Sequence, residues 1–184
     1  MARTSSPEKS AGFIKENKMN ENYTVSMAKV IEKFNLETLH LPALPEDIEV
    51  NSTRVNRPGL QMVGFYDHYE PERLQIIGKV EHLYLNQLSE EEKYERLEAF
   101  FRSKPVGVII TTSLEVSDKT IELAARYGVT LLRTALKTSD FMAALIAYLN
   151  LELGERITRH GVLVEVYGEG ILLLGDSGDR KSVV

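Results

Sequence analysis

Residues 170–182 read GILLLGDSGDRKS, an apolar stretch running without a break into glycine, small polar residues and a closing Arg-Lys-Ser. No other stretch constrains the fold as much. The backbone N–H groups of such a loop converge on an anion only when a buried strand delivers the loop and a helix takes it away. Gly175-Asp176-Ser177-Gly178-Asp179-Arg180-Lys181-Ser182 matches the phosphate-loop pattern of Gly, four residues, Gly, Lys and Ser/Thr at every fixed position but one, where Arg180 replaces the second glycine. In that pattern the lysine reaches the terminal phosphates and the hydroxyl binds Mg²⁺, roles that fall here to Lys181 and Ser182. By itself the imperfect match reads equally well as a solvated loop. The ILLL strand ahead of it is what a nucleotide site at the carboxyl end of a strand requires.

Upstream, apolar periodicity alternates between helix and strand. Met27, Val30, Ile31 and Phe34 fall at helical spacing, with Lys29, Glu32 and Lys33 opposite. A proline-containing loop over 40–46 leads to a strand at 48–50 and a turn at Asn56-Arg57-Pro58-Gly59. The runs LQMVGF (60–65) and LQII (74–77) read as strands on either side of a polar segment. Ser89 with Glu92 forms a capping box that opens a helix with an apolar stripe through Tyr94, Leu97 and Phe101. A buried strand at 106–110, a helix over 117–127 stopped by Gly128, a strand at 129–132 and an apolar helix over 138–149 complete the alternation. It predicts parallel strands with crossover helices. Segments 161–167 and 170–174 then read as a hairpin around Tyr167-Gly168-Glu169-Gly170.

The 184 residues are 43% hydrophobic with a net charge of −5, enough for one core but unsuited to a surface built for nucleic acid. Cysteine is absent, which excludes disulfides and thiolate metal sites. The first 26 residues lack the apolar run of a signal peptide, and charged residues interrupt every apolar stretch. The expectation is a cytoplasmic protein that engages no membrane. Domain boundaries are expected as a disordered extension at 1–26, an α/β domain at 27–152, and the start of a second domain at 153–184.

Arg159-His160-Gly161-Val162-Leu163-Val164-Glu165-Val166-Tyr167-Gly168, followed by GILLLGDSG, strongly resembles the segment of HPr kinase/phosphorylases that joins their amino-terminal and kinase domains, with His160 and Lys181 at the family's spacing. The resemblance runs from Met27 to Ser182, through Asn56-Arg57-Pro58-Gly59-Leu60, Glu72-Arg73-Leu74-Gln75-Ile76-Ile77-Gly78 with Glu81, Leu132-Arg133 and Leu136-Lys137-Thr138. It implies an amino-terminal three-layer α/β domain with a mainly parallel sheet, similar to the substrate domain of Mur ligases, followed by the first strands and loop of a P-loop kinase domain. It implies a bifunctional enzyme that uses ATP and Mg²⁺ to phosphorylate a serine of the phosphocarrier HPr, reverses this by phosphorolysis, and assembles as a cytoplasmic hexamer. By motif, His160 and Lys181 would be catalytic, Gly175 to Ser182 would hold ATP, and Ser182 would bind the metal. The family's proton-handling aspartate and acidic metal ligand have no counterpart in these 184 residues.

Arg180 stands against full competence, because a side chain there crowds the phosphates and resists positive φ. This chain is therefore expected to be inactive as it stands. The alternative is a non-catalytic sensing or assembly module with a vestigial loop. Asp67, His68, Glu70 and Glu72 read as a solvated loop in preference to a cation site, and His40 and His82 as structural or surface residues. Arg54, Arg57 and Arg73 read either as an anion-recognition group or as ordinary ion pairs.

Overall fold

The computed structural model describes residues 23–154, 161–167 and 169–174. Strands β4 (Val55–Asn56), β5 (Leu74–Ile77), β6 (Gly107–Ile110) and β7 (Thr130–Arg133) lie side by side in chain order and run parallel, because a helical segment returns the chain after each. The returns are α2 (Gly59–Met62), the pair α3 (Lys79–Gln87) and α4 (Glu90–Arg102), and α5 (Asp118–Tyr127). β2 (Glu37–His40) pairs antiparallel along the outer side of β7, giving a five-stranded sheet. A separate ribbon joins β1 (Val25–Ser26) to β3 (Glu49–Val50), with α1 (Met27–Phe34) between β1 and β2. After β7, α6 (Thr138–Glu152) leads toward an antiparallel hairpin of β8 (Gly161–Val166) and β9 (Glu169–Leu174), in which Gly161 faces Leu174.

Right-handed crossovers that all step the same way across a sheet put their helices on one face. That face buries Met62, Leu97, Phe100, Phe101 and Leu123 against Val108, Ile110 and Leu131. The other buries Met27 and Val30 of α1 and Phe141, Leu145 and Leu149 of α6 against Leu74, Ile76, Ile109 and Leu132. Strand side chains alternate between the two cores, so strands covered on both faces read as the near-continuous apolar runs seen in the sequence. The result is a three-layer α/β unit with a mainly parallel sheet, as the alternation predicts. Among the described residues, no helix is long and apolar enough to cross a membrane.

Local signals hold where the chemistry is explicit. Ser89 Oγ accepts from the Glu92 N–H at 3.3 Å, and the Glu92 carboxylate accepts from the Ser89 N–H at 3.1 Å. Gly128 ends α5 at φ 66, a conformation that an L side chain resists.

Elsewhere the structure corrects the reading. The run 60–65, expected as a strand, instead carries α2, a single helical turn that puts Met62 into the core. A short apolar run has no decisive period, and Pro58, with φ held near −79, favours a helical turn just after it. Three further elements go beyond the sequence reading, α3, β2 and β4, the last running into the segment read as a turn. At the amino end Val25 is buried and paired to Val50, so the folded part takes in the last residues of the stretch read as an extension.

Candidate functional site

The residues expected to carry phosphate chemistry, His160 and Gly175, Asp176, Ser177, Gly178, Asp179, Arg180, Lys181 and Ser182, lie outside the described residues. The structure describes the strand that leads to the loop, β9, and its hairpin partner β8.

Within the amino-terminal domain, polar groups gather where ligands of parallel sheets usually sit, at the carboxyl ends of the strands. β5 ends at Ile77 and Gly78 caps α3. The Gly78 N–H donates to Glu81 Oε2 at 2.9 Å, and the same carboxylate pairs with the Arg57 guanidinium at 2.8 Å. Burial alone pushes the Glu81 carboxyl up. The Arg57 guanidinium and backbone N–H groups, including that of Gly78, outweigh it and hold the group below its ordinary value. Arg57 thus ties the loop after β4 to the start of α3.

Beside this pair, Thr111 Oγ1 donates to the Ile77 carbonyl at 3.2 Å and lies 2.7 Å from Thr138 Oγ1 in the first turn of α6. Gly78 faces that threonine so closely that a Cβ would stand 2.6 Å from Thr138 Oγ1. The next two residues, Thr112 and Ser113, have φ of 58 and 49, left-handed values that cost a β-branched residue strain. Their N–H groups donate to the Leu136 and Thr134 carbonyls at 3.0 and 2.9 Å, which locks the loop after β6 to the loop after β7.

Next to this edge, a cavity of about 40 Å³, room for roughly one water, is lined by Ile77, His82, Lys93, Ile110, Glu115 and Ser117 among others. Burial and the Lys93 charge lower the His82 pKa, against the pull of Glu115. His82 is thus a wall residue of this cavity, in keeping with its reading as a structural or surface residue.

Two of the three arginines follow the ion-pair reading: Arg57 is taken by Glu81, and Arg73 forms a two-point ion pair with Glu70. His68 sits in the 66–73 loop at φ 58, and Glu70 is spent on Arg73. Among the described residues, no three His, Asp or Glu side chains could hold a metal. No role at this edge follows from spacing for Gly78, Glu81, Thr111 or Thr138. Three of them, Gly78, Glu81 and Thr138, stand among the residues that carry the family resemblance.

Replacing the carboxylate tests its place here. A depressed carboxyl pKa stabilises the fold fully above the unfolded value of 4.5, and that contribution is lost as pH falls through the lower folded value. Glu81→Gln should lower the unfolding free energy by about 1–2 kcal/mol at pH 7. Urea midpoints of the two forms should converge as pH drops below 4.5; a constant gap down to pH 2 would remove the charged pair as the cause.

A family model described as HPr Serine kinase N terminus matches residues 25–149. A protein of Lachnoclostridium phytofermentans named HPr kinase/phosphorylase is 41% identical over 160 residues, covering 87% of this chain and 52% of the relative. The protein of that name from Caldanaerobacter subterraneus subsp. tengcongensis is 43% identical over 158 residues, 86% of this chain and 52% of the relative. The chain spans about half the length of the curated relatives it matches. A solved structure of the CBS and DRTGG domains of the regulatory region of Clostridium perfringens pyrophosphatase, complexed with its activator diadenosine tetraphosphate, superposes with a TM-score of 0.48 at 17% identity, over 66% of this chain and 45% of that one.

Proposed function

Since this chain belongs to the HPr serine kinase family, whose amino-terminal model it matches over 25–149, we propose that it is the regulatory part of an HPr kinase/phosphorylase joined to the opening of its catalytic domain. In this reading the regulatory domain spans 27–152 and resembles the substrate domain of Mur ligases. Residues 153–184 begin a P-loop kinase domain. The observation that supports it most is the 41% identity to an HPr kinase/phosphorylase, which extends along 160 residues.

The corresponding whole protein phosphorylates a serine of HPr from ATP, removes that phosphate by phosphorolysis, and works as a cytoplasmic homo-oligomer, a hexamer at family length. ATP would lie along Gly175 to Ser182, with Lys181 on the terminal phosphates, Ser182 toward Mg²⁺, and His160 as the second catalytic residue. A bound Mg²⁺ supplies charge neutralisation on the transferring phosphoryl group. Arg180 weakens the match of that loop to the pattern, since a guanidinium and Cβ at that position would crowd the space where the backbone must approach the phosphates.

Incubated with HPr, ATP and Mg²⁺, the 184-residue chain should leave HPr unmodified, because phosphoryl transfer also needs acidic metal ligands and a positioned base. Serine phosphorylation of HPr by this chain would overturn that part of the proposal. Joining Arg180→Gly to the catalytic half of the Lachnoclostridium phytofermentans relative should restore transfer. Arg180 also favours a second reading, a non-catalytic sensing or assembly module with a vestigial loop, and under it the same fusion stays silent.

A further inference from the structure

Beyond the carboxyl ends of β5 and β6, the cavity of about 40 Å³ is floored by Ile77, Leu85, Leu97 and Ile110, with Lys93 of α4 and Glu115 of the loop before α5 on its walls. We infer that it is a binding site for a small zwitterion, an α-amino acid whose side chain is about the size of a methyl group. Lys93 would take the carboxylate, Glu115 the ammonium, and the apolar floor the side chain.

The place in the fold favours a ligand. In open parallel sheets ligands collect outside the carboxyl ends of the strands. Between β6 and β7 the chain closes that crevice on itself, since the Thr112 and Ser113 N–H groups donate to the Leu136 and Thr134 carbonyls. Between β5 and β6, where Ile77 lies opposite Ile110, the space stays open under α3, α4 and the start of α5.

Charge identifies the class of ligand. Lys93 and Glu115 border one cavity, yet among the described residues neither takes part in an ion pair. Both act on the His82 ring in the wall, where Lys93 adds to burial in lowering its pKa and Glu115 raises it. Opposite charges that face one apolar space without closing on each other are complementary to a molecule carrying both. Lys93 Nζ donates to Asn86 Oδ1 at 2.9 Å, which fixes the ammonium and leaves two N–H groups for a carboxylate. Ser117 Oγ and Thr120 Oγ1, also on the wall, lie 3.0 Å apart; whichever accepts keeps its own proton for a carboxylate oxygen. Glu115 and Ser117 are exposed, so the charged end of the ligand lies at the mouth.

Size then selects the side chain. Room for roughly one water accepts a methyl group, whereas a branched side chain overfills it. All of these residues belong to the amino-terminal domain, so the site stands or falls apart from the phosphate loop and HPr.

Titrating L-alanine into the 184-residue chain should move the His82 ring proton signals saturably, with half-saturation at about 0.1–1 mM, a range open to so small a ligand. His82→Gln assigns those signals by their loss. Alanine carries no net charge and leaves the ionic strength unchanged, so the shift reports occupancy. Acetate and ethylamine, each with one of the two charges, should bind at least about tenfold more weakly. Leucine should do the same because it is too large. Lys93→Gln and Glu115→Gln should each weaken alanine binding at least about tenfold while leaving the thermal midpoint unchanged, since neither breaks an ion pair. No saturable shift up to about 10 mM alanine would overturn the inference. So would acetate or leucine binding as tightly as alanine, or an affinity for alanine that both variants leave intact.

Discussion

Phe141→Ala should cost about 3–5 kcal/mol of unfolding free energy, on the order of 10 °C in thermal midpoint for a unit of this size. Phe141 is fully buried in the second turn of α6, and its ring meets Phe34 of α1 edge-on, centroids 5.4 Å apart at 80°. Phe34 in turn meets Tyr148 edge-on at 5.7 Å. Truncation leaves a cavity between two helices and the sheet. The aromatic pair adds about 0.5–1.5 kcal/mol beyond area burial. Chemical denaturation checks the value. A loss below about 1 kcal/mol would show that α1 and α6 close over the gap and that the packing is looser than described.

Gly78→Ala should cost about 2–4 kcal/mol, an unusual sum for adding one methyl. The new Cβ would sit 2.6 Å from Thr138 Oγ1 and 3.1 Å from its Cγ2. Thr138 is β-branched and held by Thr111 at 2.7 Å, so it cannot turn aside without giving up that bond. Either the start of α6 shifts or the hydrogen bond breaks. The reduced freedom of the unfolded chain returns a few tenths to about 1 kcal/mol, which the range already includes. Thr138→Ala removes the obstructing hydroxyl. The double variant Gly78→Ala with Thr138→Ala should therefore recover part of the loss, leaving an interaction energy of at least about 1 kcal/mol in the cycle. Strict additivity would place the cost of the glycine substitution elsewhere.

These two positions also mark how far the chain can be read without its structure. Helices with explicit start and stop chemistry, such as the Ser89–Glu92 box and Gly128, are legible, as are the doubly buried strands of 74–77 and 107–110, whose apolar runs leave little choice. α2 misleads because LQMVGF has no period long enough to choose between strand and helix. α3 hides because its cap is a glycine without a side-chain acceptor, and its exposed face carries Val80 and Leu83 where a surface helix should be polar. β2 hides because an edge strand carries exposed Glu37 and Thr38, and its only apolar residue, Leu39, is partly buried. The carboxyl-edge cluster depends on partners 24, 27 and 34 residues apart, which no local pattern specifies. The phosphate loop is the reverse case. Its residue types are legible from the sequence alone, while its geometry lies outside the described residues.

The placement of β2 fixes an order of events during synthesis. Its sole neighbour in the sheet is β7, with Glu37 opposite Arg133 and their side chains joined by two bonds of 2.7 Å across 96 residues of chain. When a ribosome has delivered residues 37–40, the surface they will dock on has not yet been translated. The segment must wait, at about 5–20 residues per second, for roughly 5–20 s until β7 emerges. During that interval a strand made early and paired late is the part of the domain open to a chaperone or to another nascent chain.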